Sequence, residues 1–434
     1  MKIIVVGTGY VGLVSGVCFA KIGHEVICVD HDQNKISKLK NGEIPIYEPG
    51  LKEILIEAVK NKKITFSNNL SEVINSAEVL FIAVGTPQNE IDGSADLSFV
   101  YAVATEIAQY ATGYKLIVTK STVPVGTGGE IAELIKKNNS NLEFSVASNP
   151  EFLREGMAIN DFMEPDRIIV GVNDDRSKKI MDEIYAPLTS QDVSLIFTDI
   201  PTAELIKYAA NSFLATKIAF INEMADLCEK TGADVKKLSI GIGTDSRIGE
   251  KFLNPGPGFG GSCFPKDILA LENIAKKNNS DLSVIQAVIK SNDTRKLNMV
   301  KKIVTICDGD VKDKTIAVLG LAFKGNTDDI RYSPALIIVR ELAKLGAKVK
   351  TYDKEAIENT KKELGQNTNI FYFNNSYEAV KEADAIVIAT EWDEFKNLDL
   401  SKLSKNQIII DLRNMLDPNK VRKAGFKYFF IGGK

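Results

Sequence analysis

The stretch KIIVVGTGYVG, residues 2–12, sets Gly7, Gly9 and Gly12 between a β-branched run and a helical pattern. Few folds accept that arrangement. A strand that ends in a glycine turn and feeds straight into a helix is the first half of a strand–helix–strand unit. Its glycines permit the tight turn and let a pyrophosphate reach the free N–H groups at the head of the helix. The next strand-like run, EVICVD, ends in Asp30. An acid there accepts from the adenosine ribose hydroxyls, which favours NAD over NADP.

The same alternation continues along the chain. Strand-like runs at 2–7, 25–30, 78–87, 115–123 and 144–152 are separated by helical patterns, and the rhythm returns at 315–320, 347–353, 384–390 and 407–412. Alternation of this kind predicts a parallel sheet covered by helices on both faces, with ligands at the carboxyl ends of the strands. The fold class expected is therefore α/β, with two Rossmann-like doubly wound sheets joined by a central helical region. Thr202 to Gly232 has an apolar helical pattern without an internal Pro or Gly, a long helix able to bridge two domains. The boundaries expected are 1–200 for the first sheet domain, 201–308 for the helical region and 309–434 for the second sheet domain. GLAFKG, which follows the strand at 315–320, lacks the GxGxxG spacing, so the second sheet is not expected to hold a second dinucleotide.

Composition narrows the chemistry. The 434 residues carry a net charge of −3, which gives no general positive field for nucleic acid or an anionic membrane. No apolar run approaches the roughly 20 residues that span a bilayer, and none reads as a signal peptide, so a cytoplasmic location is the expectation. The five cysteines, Cys18, Cys28, Cys228, Cys263 and Cys307, are odd in number and lack CxxC spacing. Neither a disulfide framework nor a metal site follows. With only His24 and His31 present, acid–base work falls to Asp, Glu, Lys or water.

Four of the cysteines sit in apolar helix or strand patterns and read as small buried hydrophobes. Cys263 does not. It lies in NPGPGFGGSCFPKD, residues 254–267, where Pro265 suits the first turn of a helix. A thiol at that position has its thiolate favoured by the helix dipole, with Lys266 supporting and Asp267 opposing the shift. The glycines of the stretch suggest close backbone approach to a ligand. Glu151 and Glu155 in NPEFLREG are four apart, as are Lys207 and Asn211 in ELIKYAANS, so helical spacing would give each pair a common face. Thr86 and Thr122 follow strands of the first sheet and would turn hydroxyls toward the same crevice, or serve only in turns. A nucleophilic cysteine beside a dinucleotide site suits oxidation of an aldehyde through a thiohemiacetal to a thioester and then an acid.

GTGYVG, STVPVG, NPEFLREG, ELIKYAANSFLA, FGGSCFPKD and GLAFKGNTDDIRYSP occur in the order and approximate spacing found in the UDP-glucose 6-dehydrogenases, within the nucleotide-sugar dehydrogenases. The resemblance covers essentially the whole chain. It implies two NAD-dependent oxidations at the sugar C6, from UDP-glucose to UDP-glucuronate, in a homodimer whose product serves polysaccharide biosynthesis. Carried over by position, Cys263 is the nucleophile and Lys207 stabilises oxyanions at C6. Asn211, Thr122 and Asp267 handle water and protons, and Glu151 is a candidate general base. The cofactor residues implied are Gly7, Gly9, Tyr10, Val11, Gly12, Asp30, Lys35, Thr86, Thr122, Lys266 and Arg331, with Glu155 near the nicotinamide ribose. For the sugar nucleotide, the resemblance implies Glu151, Phe152, Leu153, Glu155, Lys207 and Asn211. Further along, it implies the loop of Phe252, Leu253, Asn254 and Gly260, with Lys324, and Arg247 reaching a neighbouring subunit's substrate. No metal is implied. GDP-mannose and UDP-N-acetylmannosamine dehydrogenases are the rival readings; the aminosugar enzymes tend to carry His where this chain has Ser262.

Overall fold

A computed structural model of the chain describes residues 1–89 and 93–433. The chain forms two compact units, Met1–Ala210 with Asn273–Asn279, and Asn211–Glu272 with Ser280–Lys434.

The first unit is built on eight strands: β1 (Lys2–Val6), β2 (Glu25–Val29), β3 (Ile64–Ser67), β4 (Val79–Ile82), β5 (Lys115–Thr119), β6 (Phe144–Ser148), β7 (Ile168–Gly171) and β8 (Leu195–Thr198). Their order is β3-β2-β1-β4-β5-β6-β7-β8. The first six run parallel, while β7 meets β6 antiparallel at Ser148 and Gly171. The expected all-parallel sheet therefore ends at β6, and a reversed pair extends its edge. Alternate residues of β1 explain the two helical layers. Ile3 and Val5 join one apolar cluster and Ile4 and Val6 another, so both faces must be covered.

The second unit repeats the plan with β9 (Thr315–Leu319), β10 (Lys348–Tyr352), β11 (Ile370–Phe373), β12 (Ala385–Ile388), β13 (Ile408–Asp411) and β14 (Lys427–Phe430). Their order, β11-β10-β9-β12-β13-β14, is that of the first six strands shifted by eight. Ile316 and Val318 face one core, Ala317 and Leu319 the other.

Between the sheets in sequence runs a helix of 32 residues, Ile200–Thr231, about 48 Å long at 1.5 Å per residue. Pro201 falls in its first turn, and Gly232, at φ +80°, ends it with its N–H on the Cys228 carbonyl. The division between the two units falls inside this helix. Three further described helices, Val235–Gly243, Phe264–Lys277 and Ser283–Ile306, complete the middle of the sequence.

Candidate active site

In the first unit, the turn after β1 is shaped by the absence of side chains. Gly7 has φ +104°, and a Cβ there would stand 2.5 Å from the Ala83 carbonyl oxygen. A Cβ on Gly12 would strike the Gly7 carbonyl, whereas one on Gly9 would meet only open space. The helix Tyr10–Lys21 starts at once, and no side chain caps it at Gly9. Its leading N–H groups are thus available to an anion, beside a glycine that leaves room for one.

Asp30, one residue past β2, is buried and accepts from the Thr8 N–H at 2.8 Å, the Thr8 hydroxyl at 2.7 Å and the Asp32 N–H at 3.0 Å. Burial alone would raise its carboxyl. The bonds from Thr8 and Asp32, with Lys35 at 3.8 Å, outweigh that and hold it below the usual carboxylate range. An ionised acceptor at this strand end, a bare helix head and an open glycine together fit a dinucleotide. Thr86 donates its hydroxyl to the Thr122 carbonyl at 2.9 Å, which ties the ends of β4 and β5 together.

The segment 149–154 is not helical. Pro150 and Gly156, the latter at φ +78°, bound an irregular loop, so Glu151 and Glu155 do not share a helix face as their spacing suggested. Glu151 folds back on its own loop, accepting from the Leu153 N–H at 2.5 Å, and its other oxygen takes Lys207 Nζ at 2.9 Å. Both side chains of this ion pair are almost wholly buried, at 3% and 4% exposure. Phe152 carries the Arg167 guanidinium 3.8 Å from its ring centre, with the Lys207 ammonium at 5.4 Å.

Below the pair lies Lys120, whose ammonium donates to the Asn149 side chain at 3.0 Å. Burial pushes it down to about 8, Glu151 opposing and Lys207 reinforcing the shift. Glu204, three residues before Lys207, accepts from the Gly126 and Gly128 N–H groups at 2.7 and 2.8 Å, which anchors the STVPVG loop. Burial raises its carboxyl to about 7 against those two bonds.

In the second unit, Cys263 stands immediately before the helix Phe264–Lys277, and the Asp267 N–H closes the first turn on its carbonyl at 2.9 Å. It is half-buried, whereas Cys18, Cys28, Cys228 and Cys307 are buried. Asp267 is 1% exposed. One of its oxygens accepts from Asn211 Nδ2 at 2.6 Å, and the other lies 2.9 Å from Lys266 Nζ. The acid that ought to hinder a thiolate is therefore already paired with a cation. Lys266 and Asn211 are the partners of Asp267.

The loop before the cysteine is held by its main chain. Gly256 donates to Asn222 Oδ1 at 2.8 Å, and its carbonyl accepts from Arg295 Nε at 3.0 Å. Phe259 does the same with one side chain: its N–H reaches Asn292 Oδ1 at 2.8 Å and its carbonyl takes Asn292 Nδ2 at 3.1 Å. Leu253 is a core side chain at 2% exposure, and Phe252 holds a left-handed φ of +66°. Asn254 and Gly260 lie on the same loop. The close neighbours of the glycines are protein atoms: a Cβ on Gly261 would stand 2.7 Å from the Phe323 ring, and one on Gly260 would strike the Tyr332 carbonyl.

Lys324 follows with its ammonium 5.5 Å from the Phe323 ring centre. Arg331 and Arg247 are exposed and paired with Asp329 at 2.8 Å and Asp245 at 2.6 Å. Arg413, which sequence reasoning missed, donates to the carbonyls of Phe323 at 2.8 Å and Ala389 at 2.9 Å beyond the end of β13. Its position just past a sheet strand, DLRN after III, was the available signal. Glu48, Asn222, Asn292 and Arg295 had no such signal. Among the described residues no cluster of His, Cys, Asp and Glu could hold a metal ion, and no helix is long and apolar enough to cross a membrane.

Residues 1–189 match the NAD binding domain of the UDP-glucose/GDP-mannose dehydrogenase family, 201–294 its central domain and 317–418 its UDP binding domain. A UDP-glucose 6-dehydrogenase of Rhizobium meliloti (strain 1021) is 50% identical over all of this chain and 99% of its own. The UDP-glucose 6-dehydrogenase TuaD of Bacillus subtilis (strain 168) is 48% identical over 99% of this chain and 93% of its own. Among solved structures, a UDP-glucose dehydrogenase from the archaeon Pyrobaculum islandicum superposes with a TM-score of 0.91 at 35% identity, covering 99% of this chain and 96% of that one.

Proposed function

Since the chain belongs to the UDP-glucose/GDP-mannose dehydrogenase family, we propose that it oxidises UDP-glucose to UDP-glucuronate through a covalent intermediate on Cys263. Bound NAD accepts a hydride in each of the two oxidations, two equivalents being used per sugar. The chain's own residues do the remaining work.

In this reading the C6 hydroxyl loses its proton as the first hydride departs, leaving an aldehyde. The Cys263 thiolate adds to that carbon to form a thiohemiacetal. Loss of the second hydride leaves a thioester, and water then attacks the thioester carbonyl, releasing the acid and the thiolate. Lys207, a buried cation held in place by Glu151, stabilises negative charge on the C6 oxygen. Glu151, with Lys207 to compensate it, serves as the base for the hydroxyl or the water. Asp267 and Asn211 form a second buried polar pair that orients water and moves its protons, with Thr122 in support.

The single observation that carries the reading is the setting of Cys263. It is the one half-buried thiol of five, at the head of a helix and beside an acid already paired with Lys266. NADH formed per UDP-glucose, measured to completion, tests it: two are expected, and one would mean that the thiol plays no covalent part. GDP-mannose and UDP-N-acetylmannosamine offered in the same assay test the rival sugars. The same reading assigns residues 1–200 to the cofactor, 201–308 to the cysteine and subunit pairing, and 309–434 to the uridine nucleotide, with Lys324 and Arg413 among its contacts.

A homodimer belongs to this proposal. Phe213, Phe220 and Leu227 are exposed at 66%, 47% and 50% and recur every seven residues along Ile200–Thr231, the repeat by which one helix packs on a second copy of itself. Arg247, exposed and on the same unit, would then reach the partner's substrate. Five free cysteines suit the reducing cytoplasm, and the acid product suits polysaccharide synthesis.

A further inference from the structure

Glu48 lies in IPIYEPG, a connection between the helices Gln33–Lys40 and Leu51–Lys60 to which no chemistry has been assigned. Its carboxylate is 7% exposed yet gathers three donors. Oε2 accepts from the Tyr10 hydroxyl and from the Gly156 N–H at 2.6 Å, and Oε1 from the Ala158 N–H at 2.8 Å. The Gly156 N–H is also 2.9 Å from the Tyr10 oxygen, so the three groups close a triangle. Burial and the Glu48 carboxylate push the Tyr10 phenol well above its ordinary value, which keeps it a donor.

The two ends of this triangle belong to the two motifs that the proposed function turns toward the dinucleotide. Tyr10 is the first helical residue after the Gly7–Gly9 turn, and Gly156 closes the loop that carries Glu151 and Glu155. These elements are 146 residues apart in sequence, and one carboxylate ties them together. A carboxyl suits the position and an amide does not. Both carboxyl oxygens face donors, so an amide would set its own N–H against one of them and leave a buried donor unpaired.

We infer that Glu48 is a positioning residue for the cofactor: through Tyr10 and Gly156 it sets the distance between the turn that receives the pyrophosphate and the loop that meets the nicotinamide ribose. The inference rests on the assignment of Glu155 to that ribose. NAD spans both elements, whereas ADP reaches only the turn. A fixed spacing therefore matters to the first ligand and not to the second.

The test is to titrate Glu48→Gln, Tyr10→Phe and the double variant with NAD and with ADP, following bound ligand at equilibrium. About a tenfold loss of NAD affinity is expected in each, with ADP affinity within twofold of the parent and the double variant no weaker than Glu48→Gln. Should Glu48→Gln fail to fold, Tyr10→Phe decides by the same ratio. NAD affinity unchanged within twofold, equal weakening of NAD and ADP, or additive losses in the double variant would each overturn the proposal. Glu155→Gln, titrated alongside, separates the layers. If it weakens NAD while Glu48→Gln does not, the role of Glu48 fails alone; if it leaves NAD binding intact, the assignment beneath fails and the proposal with it.

Discussion

Two strands at the same place in two sheets of the same order, β2 and β10, both lead into a buried aspartate, and the two acids have opposite fates. Asp30 accepts from two residues, Thr8 and Asp32, with Lys35 and His31 near its open side. Asp353 is filled. The Leu321 and Ala322 N–H groups and the Trp392 indole share one of its oxygens, and the Glu355 and Ala356 N–H groups share the other. The glycines that follow β1 and β9 diverge in the same way. Gly7 leads to Gly9, over which there is open space, whereas Gly320 leads to Leu321 and Ala322, whose N–H groups are spent on Asp353. One architecture is thus left open in the first unit, where the proposed reading puts a ribose and a pyrophosphate, and sealed by its own backbone in the second. Strand order reports the fold; the state of the strand-end acid reports the use.

The largest effect that can break this comparison is on stability. Asp353→Ala strips five donors, four of them buried, of their acceptor and is expected to lower unfolding free energy by about 3 kcal/mol or more in denaturant titration, without selectively changing the KM for NAD. Next come the glycines. Gly320→Ala places a Cβ at φ +92° against Thr390, and Gly7→Ala places one at φ +104° against Ala83, so each is expected to cost about 2 kcal/mol. Only Gly7→Ala should also weaken NAD, because the proposed cofactor site includes only that turn. A third contrast is functional: Asp30→Ala is expected to raise the KM for NAD about tenfold, roughly 1.4 kcal/mol, with little change in the KM for UDP-glucose. Equal effects of Asp30→Ala and Asp353→Ala on the cofactor would erase the distinction.

The smallest effect is a pH slope. Glu204, which anchors the loop after β5 in the first unit, has a carboxyl raised from 4.5 to about 7 in the folded protein. The folded state then binds more protons than the unfolded one between those values. Stability falls as pH rises through that window and is flat above it. Glu204→Gln is expected to flatten the slope of midpoint against pH between about 5 and 7, measured by thermal unfolding at fixed ionic strength. An unchanged slope would assign the titration to other groups.

Much of this was legible before the structure, for a physical reason. Strands buried on both faces read as continuous β-branched runs, so β1, β2, β4, β5 and β6, and the centre of the second sheet, stood out. The edge strands did not. ITFS, LIFT, IFYF and KYFF are four residues each and each leaves at least one residue exposed, and the reversed β7 follows an irregular connection through Pro165 that breaks the rhythm. The glutamates of NPEFLREG misled because four-residue spacing is meaningful only if the backbone is helical, and here 149–154 is an irregular loop that ends in a left-handed Gly156.

Among the proposed site residues, Cys263, Asp30, Lys207 and Asn211 announced themselves by setting or motif. Asn292 and Arg295 did not. KSNDTRKLN reads as a solvated helix face, yet both side chains are about 95% buried on the loop that leads to the cysteine. Their work is to satisfy main-chain groups of a loop too rich in Gly and Pro to satisfy its own, a demand that no periodicity records.

Cys263 is proposed to carry the sugar between two oxidations. That role is tested most directly by counting NADH released per UDP-glucose consumed, in the parent and in Cys263→Ala. Two are expected in the parent, with loss of turnover to acid by at least a thousandfold in the variant, or about 4 kcal/mol. Near-normal turnover of Cys263→Ala, or a single NADH per sugar in the parent, would contradict it.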